Sequence, residues 1–237
     1  MESQALSRRG MLLGMAGLVG AVGAGTLLKY PAIANAASDK DGTPVTSEEA
    51  LAYLRAGNRR WRNGDIQQRD YTPSGKSLVN GQWPIAGIVS CADSRVNPEN
   101  VFDIARGNLF NVRNAGNVAG DITIGSLEYA VAVLGIPLIV VLGHTSCGAV
   151  KATQESVSTG KMPGGDIDAI VNAIAPAIRA LPAKHTLTQA ISANAQQTTR
   201  ELISGSEIID SAVRAKKLLI REGVYDIATK RVTLLPV

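Results

Sequence analysis

Apolar positions along this chain follow two periods, and the alternation between them predicts the architecture. Ile85-Ala86-Gly87-Ile88-Val89-Ser90 and Pro137-Leu138-Ile139-Val140-Val141-Leu142 are short β-branched runs bounded by Gly or Pro. Such runs are the signature of parallel strands covered on both faces. A further strand is predicted over 109–113. Thr46-Ser47-Glu48-Glu49 forms a capping box ahead of a helix whose apolar stripe runs through Leu51, Leu54 and Trp61. Residues 64–84 read as loop, a short helix starts at Pro98, and the spacing predicts a helix over 121–135. Another should begin near Ser146 and end before Gly160, followed by a loop over 160–165. From 166 to 221 the pattern predicts helices broken at Pro182 and Gly205, and Tyr225-Asp226-Ile227 with 231–235 predicts a closing hairpin. Strands alternating with helices give an α/β fold, with a central, mostly parallel sheet flanked by helices.

The segment before the first helix has a different character. Arg8-Arg9 precede a Gly/Ala-rich apolar stretch over 11–28, and Ala34-Asn35-Ala36 reads as an A-x-A-like cleavage site. Paired arginines before a weakly apolar stretch resemble a twin-arginine export signal. The competing reading is a membrane anchor, since this stretch has only the minimum length for a span; its glycines and the cleavage site favour removal. Residues 1–36 are therefore expected to be an export signal, 37–46 a linker, and 47–237 a single domain. The product would be periplasmic, touching the membrane only during export.

Composition narrows the function classes. Apolar residues make up 45% and charged residues 19%, so a sizeable core is expected and global disorder is not. Arg8, Arg9 and Lys29 against Glu2 account for half of the formal +4. The remainder is no nucleic-acid footprint, and no basic run interleaved with aromatics occurs.

The chemistry concentrates in Cys91, His144 and Cys147, which use both cysteines and one of the two histidines. They stand in Cys91-Ala92-Asp93-Ser94-Arg95 and Gly143-His144-Thr145-Ser146-Cys147-Gly148, each after a predicted strand. Open α/β sheets place their sites at such carboxyl ends. Two thiolates and an imidazole, with a fourth position free, are the ligand set of a catalytic zinc; a structural zinc usually closes with four Cys/His ligands. By count alone the cysteines could equally form a disulfide or stay as buried thiols.

These residues resemble the β-class carbonic anhydrases. The likeness continues through Gly107-Asn108-Leu109-Phe110-Asn111-Val112-Arg113-Asn114-Ala115-Gly116-Asn117 and Ser126-Leu127-Glu128-Tyr129-Ala130-Val131, and covers about four-fifths of the chain, from near Ala50 onward. The resemblance implies one zinc ion per subunit on Cys91, His144 and Cys147, and reversible hydration of carbon dioxide to bicarbonate through a zinc-bound hydroxide. It implies that Arg95 holds Asp93 off the metal so that the carboxylate accepts a hydrogen bond there; in the family's other subgroup the aspartate ligates zinc and closes the site. Gln82 resembles a residue that bonds the substrate oxygen, and Phe110 and Tyr129 match positions lining the substrate cleft across a dimer interface. Ala115 stands where some relatives carry a larger apolar side chain. Gly148 follows Cys147 at a predicted helix N-terminus, where a free N–H favours anions.

The resemblance further implies a homodimer or tetramer, with an N-terminal helical arm over a partner subunit; from the residues alone the same helix could cover its own sheet. Two other functions fit the same residues: hydrolysis of carbonyl sulfide or carbon disulfide, and a non-catalytic zinc protein. The intact Asp93–Arg95 pair argues against the last. His185 lies in a polar turn, Pro182-Ala183-Lys184-His185-Thr186, and reads as a surface residue.

Overall fold

The computed structural model describes residues 45–68, 78 and 81–236. The export signal assigned to 1–36, the linker as far as 44, and positions 69–77 and 79–80 of the predicted loop lie outside the described residues.

Five strands form one sheet: β1 (Ala86–Cys91), β2 (Leu109–Asn114), β3 (Leu138–His144), β4 (Leu219–Tyr225) and β5 (Val232–Leu234). Their order is β2-β1-β3-β4-β5, parallel except for β5, which pairs antiparallel with β4. Every residue of β1 and β3 is buried. That explains their apolar runs: in a strand covered on both faces both side-chain sets are mainly apolar.

The helices divide between those faces. Helix α1 (Ser47–Asn63) and the short α2 (Pro98–Val101) lie on one. There Ala50, Leu51 and Leu54 join Ala86, Ile88, Leu138, Val140 and Leu142 in a single core cluster. Of the two placements open for α1, the structure shows the one on its own sheet. Asn58 fastens it, with Nδ2 donating 2.9 Å bonds to the Val101 and Lys230 carbonyls and Oδ1 accepting from Val232 N. Arg60 pairs with the buried Asp103. The predicted capping box forms, Thr46 Oγ1 accepting from Glu49 N while Glu49 accepts from Thr46 N.

On the opposite face, Val89, Ile139 and Val141 meet α3 (Asp121–Ala132), α6 (Leu187–Ser204) and α7 (Glu207–Arg214). Helices α4 (Gly148–Thr159) and α5 (Ile167–Arg179) complete the layer with α6 around a third cluster that contains both cysteines. One prediction fails: the helical reading of 166–221 overruns the start of β4 at Leu219. Arg221-Glu222 breaks the apolar run there. The strand tolerates them because it is only partly covered at that point, and Arg221 Nη2 donates to the Leu235 carbonyl at 2.9 Å. The hairpin is real but longer than expected on its first arm.

The chain passes from β1 outward to β2 and returns through α3 to β3 on the other side of β1. The order therefore reverses between β1 and β3, and open α/β sheets bind ligands outside the carboxyl ends at such a switch point.

Candidate metal centre

Cys91 ends β1 and His144 ends the neighbouring β3, so the switch point itself brings them together. Cys147 returns to them through a tight turn. Ser146 adopts φ 60° there, while Thr145 N donates to the Tyr225 carbonyl at 2.9 Å and Thr145 Oγ1 accepts from Ile227 N at 3.1 Å. The turn is thus stapled to the end of β4, and Cys147 becomes the N-cap of α4. The three donor atoms lie within 4.8 Å of one another and all three residues are buried. Neither cysteine is in a disulfide.

The imidazole is set by its backbone. A carbonyl can only accept, so the 3.0 Å contact of Nδ1 with the Thr145 carbonyl fixes the proton on Nδ1. The Nε2 lone pair is then free, fully buried, and without a hydrogen-bond partner. A buried polar atom with no partner costs about 1–3 kcal/mol unless something else satisfies it. Two sulfur donors beside it make a soft cation of zinc type that partner.

The thiols respond to each other. Cys91 is pulled below the usual thiol range, chiefly because Cys147 donates to it, with the Gly116 amide adding to the effect against its burial. Cys147 is pushed well above the usual thiol range by that same interaction and by burial. Gly116 N donates to Cys91 Sγ at 3.4 Å.

Asp93 lies at the rim, its Oδ2 4.0 Å from His144 Nε2. Arg95 grips it in a fork: Nε to Oδ1 at 2.9 Å, Nη2 to Oδ2 at 2.7 Å, and the backbone N to Oδ1 at 3.0 Å. The Arg95 guanidinium holds the Asp93 carboxyl well below the usual carboxylate range, against a modest opposing effect of burial. Both carboxylate oxygens accept hydrogen bonds from Arg95.

Sequence reasoning missed the supports of this loop. Arg113, opposite Ser90 in the β1–β2 register, donates to the Cys91 carbonyl at 3.2 and 3.1 Å and to the Asp93 carbonyl at 2.8 Å. The turn after β2, which carries Gly116, is held from α6. Buried Asn194 donates to the Gly116 carbonyl at 2.8 Å and Thr198 Oγ1 to the Asn117 carbonyl at 3.0 Å. Asn114 closes it locally, bonding Val118 at both N and O. Gly116 sits at φ +80°, and an added Cβ would stand 2.7 Å from Ile174 Cδ1 and 3.2 Å from Ala149 Cβ. The signal available was a polar Asn194 standing among the buried Ala190, Ile191 and Ala195 in the first half of the helix.

The remaining predicted residues fall in three places. Gly148 is exposed at the first turn of α4, with open space where its side chain would be. Gln82 is exposed on the loop before β1 and makes no hydrogen bond among the described residues. Phe110 and Tyr129 pack together, centroids 6.3 Å apart, and with Ile122 line a shallow cavity of ≈430 Å³ that no metal-site residue enters. His185 is half-buried in its turn, its Nδ1 2.8 Å from the Pro182 carbonyl.

Comparison with known proteins gives a consistent result. A family model described as carbonic anhydrase matches residues 86–232. Carbonic anhydrase 2 of Mycobacterium tuberculosis is 44% identical over 136 residues, 57% of this chain; the aligned part spans 64% of that relative's length. A carbonic anhydrase of Mycolicibacterium smegmatis is 38% identical over 198 residues, 82% of this chain and 94% of its own. Among solved structures, a Coccomyxa β-carbonic anhydrase in complex with acetazolamide superposes with a TM-score of 0.60 at 28% identity, covering 78% of this chain and 86% of the other. A tetrameric β-carbonic anhydrase from Sordaria macrospora gives 0.60 at 22% identity, over 79% and 97%, a likeness of fold.

Proposed function

Because the chain belongs to the β-class carbonic anhydrases, we propose that it binds one zinc ion per subunit on Cys91, His144 and Cys147 and interconverts carbon dioxide and bicarbonate. The observation that carries this reading is the buried, partnerless Nε2 of His144 facing two sulfur donors at the switch point. When bound, zinc supplies Lewis acidity, lowering the pKa of a water in its open position toward ~7. This chain's own residues do the rest. Asp93, ionised and fixed by Arg95, presents a carboxylate oxygen that accepts a hydrogen bond at the rim and so orients the attacking group. Arg113 keeps the loop bearing Cys91 and Asp93 from shifting. The exposed amide of Gly148, at a helix N-terminus, suits the anionic product.

Loss of isotopically labelled oxygen from carbon dioxide, followed by mass spectrometry, tests this reading. Zinc-loaded protein should accelerate the loss, Asp93→Asn should slow it by about 100-fold, and protein with zinc bound but no acceleration would refute the proposal.

Association and location extend the same reading. The exposed Ile122 (85% exposed) and Tyr129, with the half-buried Phe110 of edge strand β2 beside them, suit a self-complementary dimer contact, with Phe110 and Tyr129 lining a cleft between subunits. Ile122→Glu should reduce the mass measured by light scattering to that of one chain. The Arg8-Arg9 signal supports export to the periplasm; Arg8→Lys with Arg9→Lys should retain the protein inside the cell.

A further inference from the structure

Beneath α1, on the sheet face away from the third core cluster, lies a cavity of ≈450 Å³ in which no metal-site residue takes part. Its floor is apolar, including Leu54 and Val140. Its rim carries four arginines: Arg55, Arg59 and Arg62 from α1, and Arg231 from the start of the hairpin's return. Five other guanidiniums are engaged, Arg60 with Asp103, Arg95 with Asp93, Arg214 with Asp210, and Arg113 and Arg221 with backbone carbonyls; Arg179 and Arg200 stand without such a bond among the described residues, but singly and away from this hollow. None of the four rim arginines has a carboxylate or hydrogen-bond partner among the described residues. Arg55 and Arg59 are four apart on one helix and Arg59 and Arg62 three apart, spacings at which like charges repel. Arg231 adds a fourth charge from another element. The sequence thus places mutually repelling cations around one apolar hollow, a cost that an anion between them would offset.

We propose that this cavity is a binding site for an amphipathic organic anion, a phosphate or carboxylate head carrying a short apolar body. The head meets planar guanidiniums suited to two-pronged bonds with phosphate or carboxylate oxygens. The body enters the hollow, whose size is within the ~300–1,000 Å³ of small-molecule sites. Source chemistry is shared by a free metabolite and a lipid headgroup, and the test separates them.

Titration calorimetry of the zinc-loaded protein with octyl phosphate, inorganic phosphate and octanol is the experiment. Octyl phosphate should bind at least about tenfold more tightly than either of the others, since only it uses both rim and floor. Combined Arg55→Gln, Arg59→Gln and Arg231→Gln should weaken it by at least about tenfold while carbon dioxide hydration and zinc content are unchanged. Thr233→Trp, which fills the hollow from its exposed lining but keeps all four cations, should abolish octyl phosphate binding. Additional binding to phosphatidylglycerol vesicles that is lost in both variants would identify the lipid source; its absence beside tight octyl phosphate binding would identify the free one. Equal affinity for inorganic and octyl phosphate, or binding that survives either variant, would overturn the proposal. So would adsorption to vesicles with no binding of octyl phosphate, because that is a charged face and not a seated ligand.

Discussion

Asn194→Ala is the perturbation that reads the support of the metal centre most cleanly, because Asn194 touches no ligand and acts only through Gly116. Its side chain is 1% exposed and its Nδ2 donates to the buried Gly116 carbonyl at 2.8 Å. Removing it strands that carbonyl, at a cost of about 1–3 kcal/mol. The same peptide turn presents Gly116 N to Cys91 Sγ at 3.4 Å, so its loosening weakens one of the amide bonds that favour the thiolate. Loss of a supporting residue around a metal ligand typically costs about 10–100-fold in affinity, and one acting a step further out belongs at the low end, near tenfold. Denaturant unfolding and zinc competition with a chelator measure the two effects separately. The cobalt-substituted protein adds a third readout, a shift of its sulfur-to-metal absorption. A destabilised variant whose zinc affinity and cobalt spectrum match the parent would refute the reasoning, showing that Asn194 braces the fold and not the thiolate.

Three other changes follow from the same structure. Gly116→Ala meets both φ +80° and the 2.7 Å contact with Ile174, and should destabilise by about 1–3 kcal/mol and weaken zinc binding, checked by the same two titrations. Leu54→Ala, at a residue 1% exposed, should cost about 2–5 kcal/mol in denaturant unfolding; a loss below about 1 kcal/mol would mean α1 does not sit on its own sheet. Arg95→Gln should lower kcat/KM by about 100-fold with zinc content intact. Arg95 depresses the Asp93 pKa, so the parent carboxylate stays ionised far into acid; in the variant that pKa rises, and residual activity should fall away at a higher pH than in the parent. An unchanged acid limb would contradict the assigned pair.

The metal ligands were legible because the chain has so few soft donors and each follows a strand readable from its apolar run. The Asp93–Arg95 fork was legible too, since two residues on one turn can meet without long-range information. Arg113 and Asn194 were not: both act on backbone carbonyls, which leave no mark in the sequence, and their partners lie 20 or more positions away. Strand β4 was hidden because Arg221 and Glu222 fall where it is only partly covered. Its pairing with β3, and not its own composition, makes it a strand. The capping box marked where α1 begins, but no local signal said which surface its apolar stripe would cover; the structure answers through Asn58 and Arg60, whose partners come from the β1–β2 connection and the terminal hairpin.

Stopped-flow hydration of carbon dioxide by the zinc-loaded protein, from about pH 6.5 to about pH 9 beside a Cys147→Ser control, tests the central claim most directly. The account predicts rapid turnover throughout that range, on the proposal that Arg95, holding both Asp93 oxygens, leaves the metal site open, and loss of that turnover together with zinc in the control. Turnover appearing only above about pH 8 would contradict the open site, and none at any pH with zinc bound would contradict the proposed activity.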